Sequence, residues 1–258
     1  MSANAPRKRR FSVLSRDALD ILALAAWGAM LLKYWLTGKL YVLLHPDYMW
    51  LSNTAGLVLL LLAAFKLLQL MVKLKQPALV ESTAAHFTLL PAKWSSGLLL
   101  AVAVFGLVYT PQAFASDTAL QRGVSETLTL TRSQPQQFGR QTQPEDRTII
   151  DWVRTLNVYP EPDAYTGDAV KVEGFVIHPE DWPATYLMIS RFVLTCCAAD
   201  AYPVGLPVKV TTRAAYPVDS WLEISGEMVT ETLSGRRQLV IDPTQLTTIP
   251  EPRNPYEY

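Results

Sequence analysis

Residues 191–203 read Arg-Phe-Val-Leu-Thr-Cys-Cys-Ala-Ala-Asp-Ala-Tyr-Pro, and both cysteines of the chain lie in this stretch. The cysteines end an apolar run of β character. Neighbouring side chains of a strand point to opposite faces, so a regular strand cannot place Cys196 and Cys197 in one core. The Ala-Ala-Asp-Ala run that follows has little β preference. The stretch therefore predicts either that one thiol packs inside and the other points out, or that the strand ends or bends at the cysteines.

Further runs around this stretch alternate with period two, as half-buried strands do. A short amphipathic helix over 146–157 precedes them, and Gly235 is placed to turn the last hairpin. Mid-strand glycines, at Gly174 and Gly226, favour bends where a small sheet curls. The pattern predicts a mainly-β domain over 148–258 that forms a five-stranded, OB-like barrel, with a two-sheet sandwich as the alternative. The predicted strands are Ala169–Ile177, Tyr186–Cys197, Leu206–Thr212, Trp221–Val229 and Gln238–Asp242.

The first half of the chain has the composition of a membrane region. Residues 1–115 carry a net charge of +7 and residues 116–258 a net charge of −7, so the net charge of zero is the sum of two oppositely charged halves. The basic half is also the apolar half, which is typical of membrane segments with basic flanks. It predicts a cytoplasmic basic tail over 1–17 and a membrane region over 18–115 with three transmembrane α-helices. The predicted spans are Ala18–Leu36, Trp50–Val72 and Trp94–Tyr109.

The positive-inside bias predicts the orientation of these spans. The basic tail and the loop between Lys73 and Lys93 are expected on the cytoplasmic side, which places the C-terminal domain outside a cell (plasma) membrane as part of a multi-pass protein. Within that loop, residues 79–90 are mildly amphipathic and are expected to lie on the bilayer surface. The Ala113-Phe114-Ala115 sequence resembles a signal-peptidase site, although an uncleaved anchor is favoured. Residues 116–147, rich in Ser, Thr, Gln and Pro, predict a flexible linker.

With these segments placed, most of the chain resembles the YcgQ-like family of permease subunits, bacterial membrane proteins of largely unknown function. The residues that carry the resemblance are 191–201, supported by Val172-Glu173-Gly174-Phe175-Val176 and Ile224-Ser225-Gly226-Glu227. The resemblance implies an accessory subunit that works beside a separate multi-spanning permease. That permease would belong to a large family whose relatives include exporters of organic arsenicals. No substrate follows from the resemblance.

The vicinal cysteines have three interpretations. They can pack as small apolar residues, bind a soft or borderline metal or metalloid ion through thiolates, or cycle between thiol and disulfide outside the cytoplasm. Asp200 is either a third ligand or a cap for the following turn. His178 follows the first predicted strand and would join the site if the strand ends converge there. The candidate ligand residues are therefore Cys196, Cys197, Asp200 and His178.

The sequence argues against two other classes of function. The acidic C-terminal half lacks the basic surface that nucleic acids need. No phosphate-binding glycine loop, HExxH or CxxC motif is present, so an enzyme is not expected. We expect an accessory subunit whose outer domain binds or hands over a small ligand or ion, with a membrane-tethered thiol redox protein as the alternative.

Overall fold

The computed structural model describes residues 5–75, 94–124 and 143–258. It contains two compact units. The first comprises residues up to Leu40 together with Pro46–Pro111, and the second comprises Tyr41–His45 together with Gln112–Tyr258. The predicted amphipathic stretch over 79–90 lies outside the described residues.

The first unit is helical. Helix α1 spans Ala5–Leu36, α2 spans Pro46–Lys75 and α3 spans Trp94–Val108. Within α1 the segment Ser15–Leu36 is long and apolar enough to cross a membrane, and so is α2. Helix α3 is apolar, but its 15 residues extend only about 22 Å at 1.5 Å per residue, less than the roughly 30 Å of a hydrocarbon core. The third predicted span therefore appears as a helix shorter than the other two.

Polar contacts join the three helices. Asp20 of α1 lies 3.5 Å from the Lys66 ammonium of α2 and accepts a hydrogen bond from Ser96 of α3. At the other end of α1, Lys33 donates to the Leu107 carbonyl at 2.6 Å. Charged groups in apolar helices are costly unless they are paired, so these contacts fix the helices to one another. Helix α1 begins at Ala5, so most of the basic tail predicted over 1–17 is helical, in agreement with the strong helix propensity of Arg and Lys.

The second unit contains the predicted barrel. Its strands are β1 (Ala169–Ile177), β2 (Tyr186–Val193), β3 (Tyr202–Lys209), β4 (Trp221–Leu233), β5 (Arg236–Ile249) and β6 (Tyr256–Glu257). The sheet runs β1-β4-β5-β3-β2, and pairing of β1 with β2 closes it. The only parallel contact within the ring joins β3 to β5, and every other pair is antiparallel. This closed five-stranded mixed barrel confirms the OB-like fold.

Two local features explain how the barrel closes. A Cβ added at Gly174 would lie 2.6 Å from the Ser190 carbonyl oxygen, so only glycine lets β1 approach β2 this closely at the corner. The β4–β5 hairpin turns through Ser234 and Gly235, both with positive φ, and this geometry matches the twist of the two strands. The predicted bend at Gly174 and turn at Gly235 are therefore present.

Two helices pack on the barrel from outside the strands. Helix α5 (Ile149–Val158) covers one end, and a capping box between Thr148 and Asp151 starts it. Helix α4 (Ser116–Gln121) lies within the segment that was predicted as a flexible linker, but its Ala119 is fully buried against the cluster around Phe192. The linker prediction therefore fails at both ends, where 116–124 and 143–147 are ordered; residues 125–142 lie outside the described part.

Candidate dithiol site

The segment after β2 is built around one carboxylate. The Asp200 side chain accepts hydrogen bonds from the backbone amides of Thr195, Cys196 and Cys197 at 3.3, 2.8 and 3.4 Å. These amides would otherwise donate to a neighbouring strand. Because Asp200 takes them, β2 ends at Val193 and not at Cys197 as the sequence predicted. A 3-10 turn over Ala198–Asp200 then leads into β3.

Both thiols lie at the surface of this turn. Cys196 is exposed and Cys197 is half-buried, and neither is in a disulfide. The last residue of the run that belongs to the core is Leu194. Of the two alternatives, the structure has the bend and not the inward-packed cysteine, because the chain turns out of the sheet before either cysteine is reached. The two Sγ atoms are 3.7 Å apart.

The Cys196 thiol is held in the protonated form. The pKa of Cys196 is raised from 9.0 to about 11 by its hydrogen bond to Asp200, with further contributions from Cys197 and from burial. For Asp200, burial raises the pKa, but hydrogen bonds from the Cys196 thiol and from the three amides outweigh it, so the net pKa is lowered. The carboxylate therefore remains charged at neutral pH and keeps the adjacent thiol neutral.

The structure does not bring His178 to this site. Antiparallel pairing of β1 with β2 sets Ile177 opposite Met188, near the start of β2, whereas Cys196 follows the end of that strand. Eight residues at about 3.3 Å each separate Met188 from Cys196 along the chain. The antiparallel register places the end of β1 at the opposite end of β2, so His178 is not a ligand of the dithiol here.

A segment that sequence reasoning did not connect with the cysteines lies against them. Leu44 forms an isolated antiparallel bridge with Cys197. The His45 amide donates to the Cys196 carbonyl at 3.1 Å, and the Ala198 amide donates to the Leu43 carbonyl at 3.0 Å. In this pattern Leu44 and Cys197 form the close, non-hydrogen-bonded pair of an antiparallel ladder. The side chain of Leu44 therefore neighbours the less exposed thiol.

Comparison with known protein families finds a matching domain family for each half of the chain. Residues 19–125 match the DUF1980 N-terminal domain, and residues 136–258 match the DUF1980 C-terminal domain. The chain is a member of the DUF1980 family. No curated protein and no solved structure matches it. The family assignment agrees with the resemblance to YcgQ-like proteins, and the dithiol lies within the C-terminal DUF1980 domain.

The C-terminus of this DUF1980 domain anchors the strand that leads to the cysteines. Strand β6 pairs in parallel with β2, and the Leu194 amide donates to the Glu257 carbonyl at 2.9 Å. The buried Glu257 carboxylate accepts from the Ile150 amide at 2.8 Å and lies 3.9 Å from the Arg191 guanidinium. Burial raises the pKa of Glu257, and Arg191 with the hydrogen bonds opposes the rise only in part. Arg191 therefore has a structural partner and does not face the thiols.

The described part of this DUF1980 protein holds no group of three or more His, Cys, Asp or Glu side chains arranged for a metal ion. The dithiol thus offers two sulfur ligands, and the Asp200 carboxylate is already committed to backbone amides. Any ion held by Cys196 and Cys197 would keep open positions. Sites with open positions are those that exchange or transfer a ligand, whereas closed four-ligand sites are structural.

Proposed function

We propose that the barrel domain of this protein is a capture site for a thiophilic ion, and that it serves a separate membrane permease. The observation that carries the proposal is the 3.7 Å separation of the Cys196 and Cys197 sulfur atoms on an exposed turn. Two thiolates at about 2.3 Å from one tetrahedral zinc-like ion are about 3.8 Å apart. The pair is therefore already spaced for one ion.

The adjacent positions of the two cysteines disfavour the redox alternative. A disulfide between neighbouring residues distorts the backbone, and the backbone here is held by Asp200 on one side and by residues 43–45 on the other. Thiol exchange also needs a thiolate, and Asp200 raises the pKa of Cys196 to about 11. A bound cation supplies its own driving force, because it displaces the thiol protons as it binds.

The proposed setting is a plasma membrane, with the barrel outside the cytoplasm and three helical spans before it. The basic N-terminus and the two helices of membrane length support this arrangement. The permease partner is proposed from the resemblance to permease subunits. It is also supported by Gln69, an amide exposed on the apolar helix α2. Polar side chains on membrane helices commonly hydrogen-bond a neighbouring helix.

Ion binding to the purified full-length chain tests the capture function. We expect one Zn²⁺ or Cd²⁺ per chain, bound with release of protons, and Cd²⁺ bound more tightly because it is the softer ion. Cys196→Ser and Cys197→Ser should each abolish binding, and Asp181→Asn, a carboxylate outside the cysteine turn, is the matched control. Binding that survives both serine substitutions would reject the dithiol as the site.

The permease partnership has a separate test. The chain is purified from gently solubilised membranes and the co-purifying proteins are identified. A multi-spanning protein should accompany the native chain, and Gln69→Leu should reduce its recovery relative to Thr54→Val, since Thr54 bonds to the Trp50 carbonyl of its own helix at 2.8 Å. Native protein that never brings down a multi-spanning partner would reject the subunit proposal and leave the capture proposal standing.

A further inference from the structure

The dithiol backbone is held from two sides. On one side the amides of residues 195–197 donate to the Asp200 carboxylate. On the other side the Cys196 carbonyl accepts a hydrogen bond from the His45 amide, and the Ala198 amide donates to the Leu43 carbonyl. The 43–45 pairing therefore stabilises the observed backbone conformation of residues 196–198, which include both cysteines.

The segment 41–45 lies in the connection between helices α1 and α2. It follows α1, which ends at Leu36, and immediately precedes Pro46, the first residue of α2. Although its neighbours on both sides belong to the helical unit, residues 41–45 belong to the barrel unit. Whatever restrains this segment restrains the connection between the two helices of membrane length.

We infer that ion capture by Cys196 and Cys197 is coupled to the pairing of segment 41–45, so that the dithiol controls the connection between α1 and α2. This inference rests on the proposed capture function. An ion bound through both sulfur atoms fixes the backbone of 196–198 in its paired conformation, and opening of the 43–45 pairing then becomes less favourable. Because coupling between two equilibria is reciprocal, the pairing also raises the affinity of the dithiol for the ion.

Hydrogen exchange on the full chain in detergent micelles tests the first half of this coupling. With saturating Zn²⁺, exchange in the peptide covering residues 41–45 should slow by about three- to tenfold, because the coupling is reciprocal and the slowing equals the ratio of the Zn²⁺ affinities of the paired and open states. The Cys196→Ser/Cys197→Ser double variant should show no change. A peptide from the β4–β5 hairpin serves as the internal control.

A variant of one backbone donor tests the reciprocal half. Ala198 is the first residue of the 3-10 turn, a position that tolerates proline, and the preceding Cys197 already has extended dihedral angles that suit a residue before proline. Ala198→Pro removes the hydrogen bond to Leu43 and should weaken Zn²⁺ binding about three- to tenfold. Ala198→Ser, which keeps the amide, should bind as the native chain does.

The outcomes separate the coupling from the capture function. Zn²⁺ binding with unchanged exchange at 41–45, and equal affinity in Ala198→Pro and Ala198→Ser, would overturn the coupling while the capture function stands. Absence of Zn²⁺ and Cd²⁺ binding to the native chain would overturn both. Slower exchange at 41–45 that persists in the double serine variant would assign the effect to an ion bound elsewhere and would also overturn the coupling.

Discussion

Replacing Asp200 by asparagine should make Cys196 more reactive. Asp200 is the largest cause of the rise in the pKa of Cys196 from 9.0 to about 11. Two pKa units lower the thiolate fraction at neutral pH about 100-fold, while the greater nucleophilicity of a more basic thiolate recovers about tenfold. The native thiol should therefore be alkylated about tenfold more slowly than an ordinary cysteine. We expect Asp200→Asn to restore most of the lost alkylation rate, which corresponds to an acceleration of about five- to tenfold.

The assay is the rate of alkylation of Cys196 by iodoacetamide in a Cys197→Ser background, measured between about pH 7 and 11.5. A lowered pKa raises the rate only below the titration midpoint, and the midpoint itself moves down. Greater access caused by a loosened turn would raise the rate at every pH by the same factor. Asp181→Asn, which changes the same charge elsewhere, should leave the profile unchanged. An unchanged or slower rate in Asp200→Asn would refute the electrostatic reasoning.

Three further predictions concern the barrel and its setting. The folded state raises the pKa of Glu257, so protonation of this carboxyl stabilises the fold below the unfolded-state pKa, and the contribution is lost as pH rises through the folded-state pKa. Denaturant titrations should therefore show that Glu257→Gln loses less stability than the native chain as the pH rises between these two pKa values. A fragment of residues 112–258 should melt roughly 10 °C or more above one of residues 147–258, because it retains Phe114 against Phe192; equal melting temperatures would show that residues 112–146 do not stabilise the barrel. A compartment-specific reporter fused after Tyr258 should be active only outside the cytoplasm, and cytoplasmic activity would reverse the proposed orientation.

The barrel was predictable because its signals are local. Alternation over Ala169–Ile177 gave the bounds of β1 without error, and the glycines at 174 and 235 marked a close approach and a turn that the structure contains. Three of the five pairings in the ring join consecutive strands, which period and turn chemistry predict, whereas the β1–β4 and β3–β5 pairings join strands that are distant in the sequence. The longer extents of β4 and β5 were missed because their exposed ends, such as Thr247 and Thr248, carry no apolar alternation.

The surroundings of the dithiol were not predictable, because they depend on pairings between distant residues. Nothing in the local sequence of Leu44 indicates that it lies beside Cys197, and the two-residue strand β6 is too short for any periodicity. The end of β2 was misjudged for a related reason. Its residues favour a strand up to the cysteines, but the Asp200 carboxylate competes for the same amides, and side-chain capture of backbone donors overrides strand propensity.

The position of Asp200 also distinguishes the functions that the two cysteines can serve. A carboxylate beside a thiol disfavours the thiolate that redox exchange or nucleophilic attack requires, and no described cation offsets it in the pKa of Cys196. The same carboxylate attracts a bound cation, and it leaves the Cys196 thiol protonated and slow to oxidise when the ion is absent. Ion uptake must then release thiol protons, so affinity should rise steeply with pH below about 11. A site of this kind is inert when empty and occupied only by ions that compete well with protons for sulfur, which is the behaviour expected of selective capture at a membrane surface.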